Sequence, residues 1–413
     1  MNISVVVLFT VLILIAVRKI GHFNIKIWQS MTGGALAVVA TQQISGVDAV
    51  KAVDLDVMLF LLGMFIIGQA LVASGYLYYL AYRLFGGLKS VQHLVVGILF
   101  GAALSSALLM NDTLAIIGTP LVLRLAREHK INSKLLLLTL AYAITLGSVM
   151  SPIGNPQNFL IASQGGLRAP FQTYFQAFAV PTLINLWLTY LLLRLVYRKE
   201  FVDGMPLTHN PVKLMDKQLA KLARASLFLL IILSTFKIML PYMHSSIRIE
   251  LSHIAIIAAL PPILFSSTRL HILKSVDWST LLFFAAMFVL MASVWQTGLM
   301  QQWVNELRID LTSVPAIMIL SATLSQLVSN VPLVALYLPM LVKPDAQSLM
   351  ALAAGSTVAG NFLILGAASN VIIIQNAEKR GSTLGFFEFA RVGIPLGFLN
   401  LLIYWVWLRY MYS

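Results

Sequence analysis

Long apolar runs constrain the fold of this chain more than any other feature of its sequence. A helix needs about 20 mostly apolar residues to cross about 30 Å of hydrocarbon, and such runs recur along the whole length of 413 residues. Hydrophobic residues make up 59% of the chain and charged residues only 10%, whereas soluble domains average about 25% charged residues. The sequence therefore predicts an all-α membrane protein with no large soluble domain.

Twelve apolar segments are separated by short polar stretches. None alternates with the period of two that is typical of membrane β-strands, so all twelve are predicted to be helical. The segments are 3–18, 27–45, 57–78, 92–126, 135–163, 176–197, 223–243, 251–267, 278–299, 311–343, 347–377 and 390–408.

Two of these segments, 92–126 and 311–343, are too long for one span and too short for two spans with a loop. Each has a polar cluster at its centre, around Asn111 and Asn330, and a proline nine residues after that asparagine. A re-entrant helical hairpin accounts for this pattern, because its polar tip lies in protein or faces a water-filled cavity. We therefore predict ten spans and two hairpins.

The positive charges agree with this topology. Cytoplasmic loops carry an excess of Lys and Arg, and with the N-terminus outside, 21 of the 28 Lys and Arg fall on the inside and six on the outside. The net charge of +13 is thus explained by topology, and we predict no nucleic-acid partner. The absence of cysteine excludes disulfides, thiolate metal sites and cysteine nucleophiles.

The chain divides into two halves with the same order of features. Residues 53–77 and 276–300 share seven of 25 positions, and each half has three spans, one hairpin, one interrupted span and one closing span. Five crossings per half place the second copy upside down, an arrangement common in secondary transporters. We predict a first repeat over 1–200, a cytoplasmic linker over 201–222, and a second repeat over 223–413.

The interrupted spans 135–163 and 347–377 carry the polar residues suited to a binding site. Prolines break the first span, and its Asn155 and Asn158 side chains can both donate and accept hydrogen bonds. The second span has Ser369 and Asn370 at the corresponding position. Freed carbonyl groups can bind a cation and helix N-termini an anion.

Asp112 differs from the other fourteen acidic residues, because it alone falls deep within an apolar segment. A charge at the bilayer centre costs about 2.5–3.5 kcal/mol on insertion scales, which favours a role in binding a cation or carrying a proton. The alternative is that its carboxylate only caps the second hairpin helix.

The motifs MNDTLAIIGTP, SPIGNPQNFLI, VSNVPLVALYLP and GAASNVIIIQNAEKRG, in this order, resemble the ion transporter superfamily of arsenite permeases, sodium–proton antiporters, citrate–metal transporters and divalent anion–sodium symporters. The Asn-Asp pair and GNPQN resemble the arsenite-permease side, among bacterial anion permeases. The resemblance implies an elevator-type dimer in a bacterial or archaeal inner membrane, with Na⁺ or H⁺ as coupling ion and no other cofactor.

The resemblance also implies where the ligands bind. The expected substrate ligands lie at the two hairpin tips and the two helix breaks, and they are Asn111, Thr113, Ser329, Asn330, Asn155, Asn158, Ser369 and Asn370. The expected residues of the coupling-ion site are Asp112, Asn111, Gly154, Asn330 and Ala368.

We thus predict an ion-coupled secondary transporter of a small anion. A cation–proton antiporter, which needs one buried carboxylate but no anion site, and an arsenite or oxyanion exporter are the alternatives. A passive channel is not separable from a carrier by sequence. An intramembrane hydrolase is disfavoured, since it needs a Ser–His pair or two carboxylates at matching depth and the sequence offers one deep carboxylate.

Overall fold

The computed structural model describes residues 3–17, 19–20, 23–24, 27–85, 90–201, 214–240, 249–298, 313–341 and 344–412. In the first half, one pair of two-residue antiparallel strands, β1 (Lys19–Ile20) and β2 (Phe23–Asn24), follows the first helix. The helices of this half are α1 (Ile3–Val17), α2 (Ile27–Ala40), α3 (Gly46–Ala52), α4 (Leu55–Ala73), α5 (Tyr76–Phe85), α6 (Val91–Leu108), α7 (Asn111–Glu128), α8 (Ser133–Val149), α9 (Pro156–Gln164) and α10 (Pro170–Val196).

The second half of the chain is helical as well. Its described helices are α11 (Lys217–Met239), α12 (Leu251–Phe265), α13 (Arg269–Ser275), α14 (Trp278–Gln296), α15 (Val314–Val328), α16 (Asn330–Tyr337), α17 (Ala346–Phe362), α18 (Ala368–Glu378) and α19 (Phe386–Met411). Short 3₁₀ turns follow α10, α16 and α17, at Arg198–Phe201, Leu338–Met340 and Ile364–Gly366.

The described helices confirm an all-α membrane architecture. Six of them, α4, α6, α10, α11, α14 and α19, are long and apolar enough to cross a membrane. Each predicted apolar segment contains a helix, and α3, α5 and α13 are additional short helices that the sequence analysis did not predict. Of the predicted linker 201–222, residues 202–213 lie outside the described residues, and α11 begins at Lys217, inside the predicted linker.

Side-chain caps fix where many helices begin. Asp54 accepts a hydrogen bond from the backbone N–H of Val57 at the start of α4, and Asp277 does the same for Thr280 at the start of α14. Such caps satisfy backbone donors that have no partner within the helix. The two aspartates are one of the identical pairs in the matching segments 53–77 and 276–300.

The first parts of the two interrupted spans lie in the core along most of their length. Every residue from Leu135 to Val149 in α8 is buried, and so is every residue from Leu349 to Asn361 in α17. These two helices contact each other and are covered by α6, α7, α10, α15 and α19. They therefore have protein on all sides, which is the condition under which a broken helix can exist at membrane depth.

Helices from the two halves contact each other in matching pairs. Helix α4 packs on α12, and α14 packs on α2. In the same way α7 packs on α18, and α16 packs on α9. The second arm of each hairpin thus lies against the second part of the interrupted span of the other half.

Candidate functional site

The first hairpin tip is joined to the first helix break. Helix α8 ends at Val149 and α9 begins at Pro156, and the intervening loop places the carbonyl oxygen of Gly154 2.9 Å from the backbone N–H of Asn111. Gly154 is required here, because a Cβ at this position would lie 2.4 Å from the carbonyl oxygen of Ser148. The structure therefore brings Asn111 and Gly154 together.

Asn155 and Asn158 hold this break in shape. The Oδ1 atom of Asn155 accepts a hydrogen bond from the backbone N–H of Asn158 at 2.8 Å, which caps α9, and its Nδ2 atom donates to Ser148 Oγ at 2.9 Å. The Nδ2 atom of Asn158 donates to the carbonyl groups of Ser148 and Ser151. Both asparagines are fully buried, so their amide groups satisfy the backbone that the broken helix frees.

Thr357 connects this break to the second half of the chain, and the sequence analysis did not identify it. Its hydroxyl accepts from Asn155 Nδ2 at 3.3 Å and from Gln157 Nε2 at 3.4 Å, and lies 3.4 Å from Asn158 Oδ1, to which it can donate. Thr357 lies in the buried helix α17, within a stretch of small residues that carries no motif. Ser148 was missed for the same reason, whereas Ser151 begins the motif SPIGNPQNFLI but was not named as a site residue.

The other residues of the first hairpin tip point in different directions. Asn111 Oδ1 accepts a hydrogen bond from the backbone N–H of Asp112 at 2.9 Å. The Thr113 side chain packs against α4, where a Cβ on Gly68 would lie 2.5 Å from Thr113 Cγ2. Thr113 is therefore turned towards α4.

Asp112 is 6% exposed, in the first turn of α7. Among the described residues, no hydrogen bond or salt bridge reaches its carboxylate. No side chain caps the start of α7 either, so the capping bond that was the alternative role for Asp112 is not formed. Its carboxylate is therefore available to a cation or a proton.

The second hairpin tip and the second break contain buried oxygen atoms without partners. Ser329, between α15 and α16, has φ +69°, a left-handed conformation that is uncommon outside glycine. Among the described residues, Asn330 Oδ1, Ser369 Oγ and Asn370 Oδ1 have no hydrogen-bond partner, whereas Asn370 Nδ2 donates to the carbonyl group of Gly360 at 2.6 Å. Buried polar atoms are normally paired, so these three oxygen atoms are suited to an added ligand.

Gln326 adds a fourth such atom, and the sequence analysis missed it as well. Its Nε2 donates to the carbonyl groups of Ala322 and Ala359. Its Oε1 is buried close to the second break at Gly366, with no hydrogen-bond partner in the part of the chain that the structure describes. Gln326 lies one turn before Ser329 on the first arm of the hairpin. Ala368, also predicted to contribute to the ion site, is exposed at the start of α18.

Helix N-termini lie at the two hairpin tips and at the two breaks. Helices α7, α16 and α18 begin without a side-chain cap, and α9 alone of the four has one, from Asn155. In α7 the first two backbone N–H groups already donate, to the carbonyl group of Gly154 and to Asn111 Oδ1. Each helix N-terminus also carries a partial positive charge, which favours an anion. Within the described residues, no three His, Asp or Glu side chains lie together to bind a metal ion.

The chain was compared with known proteins. A protein-family model described as citrate transporter matches residues 10–348. An uncharacterised transporter of Mycobacterium tuberculosis is 29% identical over 91% of this chain and 92% of its own length. A 46 kDa membrane protein of Mycobacterium leprae is 27% identical over 94% of each chain, and the human P protein is 26% identical over 88% of this chain and 55% of its own.

A solved structure has the same fold. The YdaH transporter of Alcanivorax borkumensis matches with a TM-score of 0.61 and 16% identity, over 98% of this chain and 96% of that one. At this level of identity the likeness establishes the fold alone.

Proposed function

Because the chain belongs to the citrate transporter family, we propose that it carries a small anion, with citrate as the first candidate, by ion-coupled secondary transport. The family and the transporter-named relatives make it a multi-pass membrane transport protein and not an enzyme. The proposal extends this to the site, the coupling ion and the movement.

One observation carries the proposal. Uncapped helix N-termini and unpartnered buried oxygen atoms occur together at the hairpin tips and helix breaks. The N-termini of α7, α16 and α18 attract the carboxylates of an anion. The oxygen atoms of Asn330, Ser369 and Asn370 are hard ligands suited to Na⁺, and Gln326 Oε1 is a fourth. A site that binds both ions together provides coupling, because each ion lowers the electrostatic cost of binding the other.

Asp112 is proposed to carry the coupling charge on the first-half side of the site. Its carboxylate is buried at the tip of the hairpin beside Asn111, where a charge is costly without a partner. Binding a cation or a proton removes this cost. Binding or release of that ion would therefore change the free energy of moving the first hairpin relative to the membrane.

We further propose that the two halves are inverted repeats and that transport uses an elevator-type movement in a dimer with the N-terminus outside. The matching helix pairs, α4 on α12 and α14 on α2, support the repeat. The two hairpins and the buried helices α8 and α17 form one packed unit, which supports movement of that unit as a rigid body.

The buried carboxylate of Asp112 also favours a second candidate, a cation–proton antiporter. Such a protein would use Asp112 but would not need the uncapped N-termini of the hairpins. Sodium-dependent proton flux in the complete absence of an anion would favour the antiporter over the anion carrier.

Uptake of radiolabelled citrate into proteoliposomes tests the proposal, with an imposed sodium or proton gradient. We expect uptake to depend on one of the two gradients, and Asp112→Asn to fold normally but to lose this dependence. The control is Asp48→Asn, which changes an exposed carboxylate in α3. Gradient-driven uptake by Asp112→Asn at the native level would remove Asp112 from the coupling mechanism.

A further inference from the structure

A cavity of about 460 Å³ lies beside the site, and the proposed function does not use it. It is lined by the end of α9 and the loop that follows, by the first turn of α4, and by the facing ends of α11 and α12. A volume of this size is in the range of small-molecule binding sites. Its polar wall includes Asp56, Arg168, Lys237 and Glu250.

These charged groups indicate that the cavity is wet. Asp56 Oδ1 accepts a hydrogen bond from Ser252 Oγ at 2.6 Å, and the Lys237 ammonium donates to the carbonyl group of Ile249. Two carboxylates and two basic groups balance each other in formal charge, so the cavity does not strongly repel ions of either sign. An ion can therefore enter it while remaining hydrated.

One of the residues that line the cavity belongs to an aromatic pair. Phe159 lines the cavity, is 1% exposed, and follows Asn158 directly on α9. Its ring stacks on Phe60 of α4, with ring centroids 4.1 Å apart and planes inclined by 17°. The backbone N–H of Phe159 donates to the carbonyl group of Asn155, so the pair lies within one helical turn of the first break.

Helix α9 is held against α4 at a second point, at its outer end. Gln164 Nε2 donates to Asp54 Oδ2 at 2.6 Å, while Asp54 Oδ1 caps α4. Helix α4 in turn packs along α12 and α11. The aromatic pair therefore joins α9, the second part of the first interrupted span, to α4, which packs with α11 and α12.

We propose that this cavity is the route by which solute reaches the first break, and that the Phe60–Phe159 pair is the barrier at its inner end. This inference rests on the proposed transport function, which gives the route its role. Its geometry is independent of the substrate, so its test does not require one. Asn158, directly before Phe159 on α9, donates a hydrogen bond to the carbonyl group of Ser148, so separation of the two rings would open the cavity towards the first break.

Because the native chain contains no cysteine, single introduced cysteines report access without background. Ser163→Cys places a thiol on the exposed cavity wall, and Ser148→Cys places one in the fully buried break. The measurement is the rate at which each thiol of the purified protein in detergent reacts with a charged methanethiosulfonate reagent. We expect rapid reaction at position 163 and slow reaction at position 148.

Opening the barrier should raise the reaction rate of the thiol at position 148 and leave the rate at position 163 unchanged. In combination with Phe159→Leu, which keeps an apolar side chain but removes the stacked ring, we expect the Ser148→Cys rate to rise by up to about tenfold. Phe60→Ala should act in the same way. The matched control is Phe65→Ala, which removes a buried ring from the same helix, away from this cavity.

The outcomes separate this inference from the proposed function. An unchanged Ser148→Cys rate in both Phe159→Leu and Phe60→Ala, each with a native melting temperature, would overturn the barrier. An equal rise in Phe65→Ala would overturn it too, since it would indicate general loosening. The predicted rates in a protein that takes up no anion would leave the route intact and refute the proposed function.

Discussion

Replacing Asn155 by alanine is the perturbation that most clearly separates a structural cap from a broken-helix site. The Asn155 side chain makes three hydrogen bonds, one that caps α9 and two that reach Ser148 and Thr357. Alanine removes all three. Ser148 Oγ would still donate to the carbonyl group of Thr145, and Thr357 would still accept from Gln157, so neither hydroxyl is left without a partner.

The expected loss of stability follows from these bonds. An N-cap contributes about 1 kcal/mol and each of the two further hydrogen bonds a net contribution of about 0.5–1.5 kcal/mol, so we expect a total of about 2–4 kcal/mol. Asn132 provides a matched control, because its side chain caps α8 through one hydrogen bond, to Lys134, at a half-exposed position. Asn132→Ala should cost about 1 kcal/mol.

The assay combines the apparent melting temperature in detergent with gradient-driven uptake in proteoliposomes. We expect Asn155→Ala to melt below Asn132→Ala and to lose uptake, because the break that holds Gly154 against the first hairpin tip is no longer fixed. Asn132→Ala should transport at the native rate. Equal melting temperatures for the two variants, together with native uptake by Asn155→Ala, would refute the reasoning.

Two further substitutions test other parts of the site. Gly154→Ala places a Cβ 2.4 Å from the carbonyl oxygen of Ser148. We expect the free energy of unfolding, measured with denaturant, to fall by at least about 1–3 kcal/mol. The control Gly33→Ala, with no atom within 4 Å of its Cβ, should be neutral. Asn330→Ala removes a buried oxygen atom that has no partner among the described residues, so the melting temperature should hardly fall. The cation concentration for half-maximal uptake should rise by about tenfold or more, because a ligand of the cation is lost. A large fall in melting temperature with unchanged cation dependence would show that Asn330 is a structural residue.

The sequence predicted the helices well because the length of each apolar run, and the polar residues that separate the runs, determine where a chain can span a bilayer. The segment 92–126 is divided at Leu109 and Met110, and 311–343 is divided at Ser329, where its polar cluster predicted a tip. The short helices α3 and α13 were missed, since each is only seven residues long and carries no apolar run that could span.

The sequence identified some of the residues that contact one another at the first break, and it missed the others for a physical reason. Motif residues such as Asn155 are conspicuous because amides are rare beside prolines in apolar segments. Their partners Ser148 and Thr357 are small residues on fully buried helices, and nothing in a single sequence distinguishes a serine that accepts from Asn155 from one that donates to its own helix. The orientation of Thr113 towards Gly68 likewise depends on how α4 packs against the hairpin, which is a tertiary property.

The central claim is that the two hairpin tips and the two helix breaks together bind the transported anion. The most direct measurement is a cryo-electron microscopy structure of the protein in lipid nanodiscs with citrate, determined with and without sodium. The account predicts density for the anion at the N-termini of α7 and α16, beside Asn111 and Asn330, with the cation next to Asn370. Anion density confined to other parts of the protein, with the tips empty at saturating citrate and sodium, would contradict it.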